Sequence, residues 1–136
     1  MTSYLMSALI SALSMTLAAP LFADPMSAEA FDAYTRDKTL FYSQNGQRYG
    51  AEVYRENRRV TWSFLDGECK DGYWYNDGPT ICFVYEDQQA NPQCWTFELG
   101  NNGLIASFVG AGDADILYEA QNADEEMLCL GPKVGV

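Results

Sequence analysis

The sequence predicts an all-β domain with one N-terminal helix, in which about eight antiparallel strands form a meander that curls into a small barrel or half-barrel. Short runs rich in β-branched and aromatic residues begin near residue 39, and turn signals separate them at regular intervals. No helical periodicity of ten residues interrupts these runs, which disfavours a parallel βαβ sheet. Four cysteines in the same region predict two disulfides that hold the domain together.

The N-terminal segment has the pattern of an export signal. Residues 4–19 carry no charge, and this stretch is shorter than the about 20 apolar residues that a membrane-spanning helix needs. Small Ala23 offers a cleavage site, so residues 1–23 are predicted to be a signal peptide. An uncleaved membrane anchor is the alternative. We therefore expect a periplasmic or secreted protein with no stable membrane insertion after signal cleavage.

The helix is predicted over residues 24–38, and residues 39–136 are predicted to form a single β domain. Ser27 is a suitable N-terminal cap, and Phe31 and Tyr34 share one face of the helix. We expect this face to pack against the sheet or to close an opening in it.

The turn signals also predict which side chains share a face of the sheet. Pairing neighbouring runs across short turns assigns most large apolar side chains to one face through seven successive runs. That inner face includes Trp62, Trp95, Tyr73 and Tyr75, and Asp71 is its clearest exception. Because so large an apolar face must be covered, the sheet is expected to close on itself.

The cysteines fit the same pairing. Their spacings of 13, 12 and 35 residues lack the two close pairs that a zinc site uses. The predicted register places Cys82 directly opposite Cys94 on the outer face, which leaves Cys69 to pair with Cys129. We predict no metal and no cofactor.

The charge balance and the absence of histidine exclude several classes of function. The 136 residues contain 19 acidic and eight basic side chains, a net charge of −11, and no His. Imidazole-dependent triads and His-ligated zinc are therefore impossible, and nucleic acid is an improbable partner because phosphate is repelled. Glu52 and Glu98 on the outer face, with Asp71, are the strand carboxylates available to a glycan hydrolase, which needs a spaced pair. No recognisable catalytic constellation is present, so we predict a non-enzyme.

A binding surface is predicted on the outer face of the sheet. Trp74 lies between Tyr73 and Tyr75, so a regular strand that turns both tyrosines inward must turn Trp74 outward. The same register turns Tyr54 and Phe41 outward, and exposed aromatic side chains are typical of protein interfaces and sugar-stacking surfaces. The alternative is that the N-terminal helix covers Trp74.

The central region resembles a family of small, exported, uncharacterised bacterial domains. The resemblance covers about residues 39–99 and consists of the motifs Arg58-Arg59-Val60-x-Trp62-x-Phe64, Gly67-x-Cys69, Gly72-x-Trp74, Ile81-Cys82-Phe83-x-Tyr85-Glu86 and Cys94-Trp95-x-Phe97. It implies export and a disulfide-bonded β fold but no activity. The predicted fold also resembles periplasmic lysozyme inhibitors in shape and compartment alone; Tyr49, Gly50 and Trp62 occur in its strands, but that family's recognition motif is not matched residue by residue.

These observations predict an exported, non-catalytic binding protein, an inhibitor or accessory protein that engages a cationic periplasmic protein or a glycan. A carrier of a small apolar ligand inside the barrel is the second alternative, although the many large aromatic side chains predict a filled interior. A carboxylate-based glycan hydrolase is the third.

Overall fold

The structure is a computed structural model that describes residues 23–110, 115–121 and 126–130. One helix precedes eight strands, whose bounds are α1 (Ala28–Thr35), β1 (Thr39–Gln44), β2 (Gln47–Tyr54), β3 (Arg59–Ser63), β4 (Lys70–Asp77), β5 (Thr80–Tyr85), β6 (Gln93–Gly100), β7 (Gly103–Phe108) and β8 (Ile116–Glu119). Each strand pairs with the next in antiparallel orientation, and β8 pairs with β1, which closes the barrel. The predicted fold class is confirmed, in its closed form.

Apart from Ala23, the predicted signal peptide lies outside the described residues. In the part of the chain that the structure describes, no helix has both the length and the apolar character needed to cross a membrane.

Helix α1 closes one end of the barrel. The Ser27 side chain accepts a hydrogen bond from the backbone N–H of Ala30 at 3.1 Å, which caps the helix. Phe31 is fully buried, with ring centroids 4.5–6.3 Å from those of four residues of the barrel wall: Tyr54, Trp74, Phe83 and Phe97. The helix is shorter than residues 24–38 because the chain after Thr35 turns away, and Asp37 adopts a positive φ of 62°.

A β-bulge changes the predicted orientation of β2. The two-residue turn after β1 forms as predicted, but the register shifts at Tyr42/Ser43, so that Tyr42 lies opposite Gly50 instead of Tyr49. The extra residue in β2 turns Glu52 and Tyr54 into the barrel. The prediction that both side chains lie on the outer face is therefore wrong.

The loop between β2 and β3 compensates for the bulge. It contains three residues, Glu56–Arg58, where the sequence predicted a two-residue turn, and both Asn57 and Arg58 have positive φ values. This second extra residue restores the predicted orientation of β3. Val60 is buried and Trp62 faces the interior.

Strand β4 has the opposite orientation to the predicted one. Val60 of β3 lies opposite Gly72 instead of Tyr73, and the hairpin with β5 closes at Asp77 and Thr80, with a two-residue turn instead of the predicted three-residue loop. Trp74 therefore points inward and is 2% exposed, whereas its neighbour Tyr73 is 46% exposed. The prediction that Trp74 faces outward and Tyr73 and Tyr75 face inward is wrong.

Strands β1, β5, β6 and β7 and both disulfides follow the prediction. Ile81 lies opposite Trp95, and Cys82 lies opposite Cys94 with a Cα–Cα distance of 4.0 Å. The second disulfide joins Cys69 to Cys129, at a Cα–Cα distance of 5.3 Å. Two disulfides indicate that the protein resides in an oxidising environment outside the cytoplasm.

Candidate functional site

The predicted outer-face binding surface does not form. Trp74 and Tyr54 are buried, and Phe41 is partly buried on the outer face, where it pairs with Ala51. The Trp74 ring packs edge-on against Phe31 at 5.1 Å, so the alternative in which α1 covers this tryptophan is the observed arrangement. The prediction that Trp74, Tyr54 and Phe41 share one exposed surface is wrong, because the three side chains lie on opposite faces of the sheet.

The barrel contains a cavity at the end opposite α1. Its volume is about 180 Å³, and most of its wall consists of aromatic rings: Trp62, Phe64, Phe83, Tyr85, Trp95 and Phe97. The cavity is also lined by Asp87 and Gln88, and the Phe64 side chain in its wall is 49% exposed. The cavity therefore reaches the solvent at this end of the barrel. A cavity of about 150 Å³ holds benzene in other proteins, so this space is large enough for a small organic molecule.

Three aromatic side chains pack against one another at the open end, and we call them the mouth cluster: Tyr49, Trp62 and Phe64. Their ring centroids lie 5.3–5.8 Å apart. Gly50 permits this arrangement, because a Cβ atom at that position would lie 2.2 Å from the Trp62 ring. A larger residue at position 50 would displace the indole from the cavity wall.

A buried carboxyl group faces the cavity. Glu52 is 1% exposed, and the Tyr85 hydroxyl donates to its two oxygens at 3.1 and 3.2 Å. Burial raises the pKa of Glu52 well above its usual range, and the Tyr85 hydrogen bond and the charge of Arg55 oppose that rise. The Arg55 guanidinium donates to Thr61 at 2.6 Å, and no ion pair joins Glu52 to any lysine or arginine that the structure describes.

Two further tyrosines add polar atoms to the wall. The hydroxyl groups of Tyr42 and Tyr54 share a hydrogen bond of 2.8 Å. Burial raises the pKa of both phenols, and of Tyr85, above the ordinary value, so all three stay neutral. The cavity therefore combines apolar aromatic surface with a few neutral hydroxyls and one buried carboxyl group, a composition typical of small-molecule sites.

An ion pair lies beside the mouth of the cavity. Lys70, which pairs with Trp62 across β3 and β4, contacts the Asp87 carboxylate at 2.6 Å. Both side chains remain partly exposed, so the pair contributes little to stability. Asp87 neutralises the positive charge that Lys70 would otherwise present to a ligand at the entrance.

The structure does not bring the three candidate hydrolase carboxylates together. Glu52 faces the interior, whereas Glu98 lies opposite Ile105 on the outer face. Asp71 is exposed on the outer face and accepts a hydrogen bond from Thr61 at 2.5 Å, so its predicted place on the inner face is wrong. Among the described residues, no group of three or more Asp, Glu or Cys side chains is arranged to hold a metal ion.

Sequence reasoning missed the central role of Glu52. Its predicted position on the outer face followed from a regular β2, and the bulge beside Tyr49 reversed that position. A single acidic residue within the stretch 49–54, where the other residues are uncharged and mostly apolar, is the signal that pointed to it. Tyr85 and Trp95, in contrast, face the interior as predicted.

Comparison with known proteins found no matching family model, no matching curated protein and no matching solved structure. The resemblance to small exported bacterial domains therefore stays a prediction, and the function has to be argued from the cavity.

Replacing Glu52 with glutamine is expected to change how stability depends on pH. Because the pKa of Glu52 is raised in the folded protein, the folded state binds its proton more tightly than the unfolded chain does. The free energy of unfolding should then fall as pH rises from about 4.5 through the folded-state pKa, by up to about 1.4 kcal/mol per pH unit. In the Glu52→Gln variant this fall should disappear, as measured by urea denaturation between pH 4.5 and 8.

The matched control for this experiment is Glu98→Gln, which removes a carboxylate from the outer face. Its stability profile should run parallel to that of the parent protein. A Glu52→Gln profile that also runs parallel to the parent would show that Glu52 titrates normally and is not isolated from water.

Proposed function

We propose that this protein is an exported, non-catalytic binding protein that holds one small, mainly apolar organic molecule inside its barrel. The observation that carries the proposal is the aromatic cavity of about 180 Å³, open at one end and closed by α1 at the other. The sequence predicted a filled interior, so a ligand carrier was only the second of the functions that it predicted. The unfilled space beside Glu52 and Tyr85 moves this function to first place.

Export is supported by the signal-like run of residues 4–19 and by the two disulfides, which fit a periplasmic or secreted location. Mass spectrometry of natively purified mature protein should show a chain that starts at Asp24. Its mass should be lower than that of the reduced chain by four hydrogen atoms, one for each cysteine. A chain that keeps residues 1–23 would support the membrane-anchor alternative.

Ligand binding in the cavity is tested by titrating the protein with toluene and with 2-phenylethanol while recording amide NMR spectra. We expect saturable shifts centred on cavity residues such as Trp95 and Phe97. The Ala106→Leu variant adds apolar atoms at the cavity wall, so it should weaken binding at least tenfold, while an outer-face change, Ser107→Ala, should not. The proposal would be contradicted if the titration produced no shifts, or if the Ala106→Leu variant bound the probes as tightly as the parent protein.

A cationic periplasmic protein is a second candidate partner. The net charge of −11 supports it, since an acidic surface attracts basic proteins over long distances. Capture from a periplasmic extract at low salt, lost at high salt, is the outcome that this candidate predicts. The hypothesis of a glycan partner depended on an exposed Trp74. Because Trp74 is buried, we do not propose a glycan partner.

A further inference from the structure

We propose that the ligand of the cavity is an organic ammonium ion whose charged nitrogen binds the Glu52 carboxylate and whose carbon skeleton contacts the aromatic wall. This inference rests on the proposed binding function and deepens it, because it names the chemical class of the ligand.

The hydrogen bonds of Glu52 leave room for such a partner. An ionised carboxylate offers about four acceptor positions, and Tyr85 supplies one hydroxyl proton, shared between the two oxygens. An ammonium group carries up to three donors and no acceptor, so it matches the positions that remain. The charge that acts on Glu52 from within the described chain is that of Arg55, whose guanidinium is bonded to Thr61 on the outer face.

The aromatic rings provide the second half of the site. Cations bind over the faces of Trp, Tyr and Phe rings, and such contacts gain strength where water is excluded. The mouth cluster lines the cavity, and so do Phe83 and Tyr85, whose ring planes lie 7° apart. Clusters of aromatic rings bind organic ammonium ions in other proteins, and here the carboxyl group of Glu52 lines the same cavity as the rings.

A neutral ligand that accepts a hydrogen bond from protonated Glu52 is the competing interpretation. Two observations favour the cation. The chain carries a net charge of −11, which raises the local concentration of cations, and the Lys70 charge at the entrance is neutralised by Asp87. An ionised carboxylate is also costly to bury without a positive charge beside it, and the ligand would supply that charge.

The experiment compares two probes of nearly equal size and shape, 2-phenylethylammonium and 2-phenylethanol, by isothermal titration calorimetry at pH 7.5. The parent protein should bind the ammonium ion about tenfold more tightly, or better, because only the ammonium ion pairs with Glu52. The Glu52→Gln variant should bind the ammonium ion at least about tenfold more weakly and the alcohol within about twofold of the parent. The matched control, Glu98→Gln, should keep the preference for the ammonium ion.

The outcomes separate this inference from the proposed function. Equal affinity of the parent for both probes would overturn the ammonium assignment and leave the ligand-binding function intact. If neither probe binds, both the ammonium assignment and the proposed ligand-binding function are overturned. Because the comparison in the parent protein needs no variant, the inference stays testable even if Glu52→Gln does not fold. An ammonium preference that survives in a folded Glu52→Gln variant would also overturn it.

Discussion

Replacing Trp74 with alanine should lower the free energy of unfolding by about 3–5 kcal/mol, as truncations of large buried aromatic side chains do. The Trp74 ring is 2% exposed and lies between the Phe31 ring, 5.1 Å away, and the Arg58 guanidinium, 4.3 Å from its centroid. Its removal leaves a space between α1 and the barrel that neither element can fill. Thermal and urea denaturation should show the loss, with a melting temperature lower by more than about 10 °C.

The neighbouring residue provides the control. Tyr73→Ala removes an aromatic side chain of similar size from the same strand, but 46% of Tyr73 is exposed, so the loss should stay below about 1.5 kcal/mol. The reverse order, with Tyr73→Ala the more damaging change, would mean that β4 has the orientation predicted from its sequence. In that case Trp74 would again be a candidate for surface binding.

Removing the Cys69–Cys129 disulfide in a Cys69→Ala/Cys129→Ala variant should lower the free energy of unfolding by about 4 kcal/mol, because the bond closes a loop of 60 residues in the unfolded chain. The bond ties the chain around Leu130 to the loop between β3 and β4, where the Leu130 N–H also donates to the Gly67 carbonyl at 2.8 Å. Urea denaturation at pH 7 under non-reducing conditions measures the loss.

The two single variants, Cys69→Ala and Cys129→Ala, are the controls for the disulfide. Each alone breaks the bond, so each should lose nearly as much as the double variant when its one free thiol is alkylated and Cys82–Cys94 stays intact, and the losses should not add. A loss in the double variant below about 1 kcal/mol would show that the bond restricts the unfolded chain little.

The strand count, the closed sheet and the disulfide pairing were accessible from the sequence because they depend on features that recur along the chain. Turn signals such as Asn45-Gly46 mark where strands end, and the alternation from β5 to β7 leaves a single register, with Leu99 opposite Leu104 and Cys82 opposite Cys94. In these strands an error of one residue would turn Phe83, Trp95 and Phe97 outward, so the pattern itself selects the pairing.

Strands β2 and β4 were predicted wrongly because both of their faces carry apolar side chains. In β4 either Trp74 or the pair of Tyr73 and Tyr75 can face inward, and the connections on both sides of the strand decide between them. The predicted assignment of side chains to the two faces of the sheet contained two anomalies in this strand, an inward Asp71 and an outward Trp74. One shift of register removes both, which is a signal that sequence reasoning had at hand.

The candidate site was harder to predict because it depends on the bulge in β2. Nothing in the local pattern of Tyr49, Ala51 and Val53 announces an extra residue, and a regular strand would have placed Glu52 outside. The cavity also depends on volumes across the barrel, for example on how far Phe97 and Ala106 extend toward the centre, and a sequence pattern does not report volumes.

Among the residues that the structure describes, Phe31 closes one end of the barrel, which leaves ligands one route, past the mouth cluster. Entry and exit then share one passage, and a second molecule has no way to approach an occupant from behind. Exchange must proceed by complete departure of the first molecule before the next arrives. The dissociation rate measured in a chase experiment should therefore not depend on the concentration of the competitor, and it should rise in a Phe64→Ala variant, which widens the entrance.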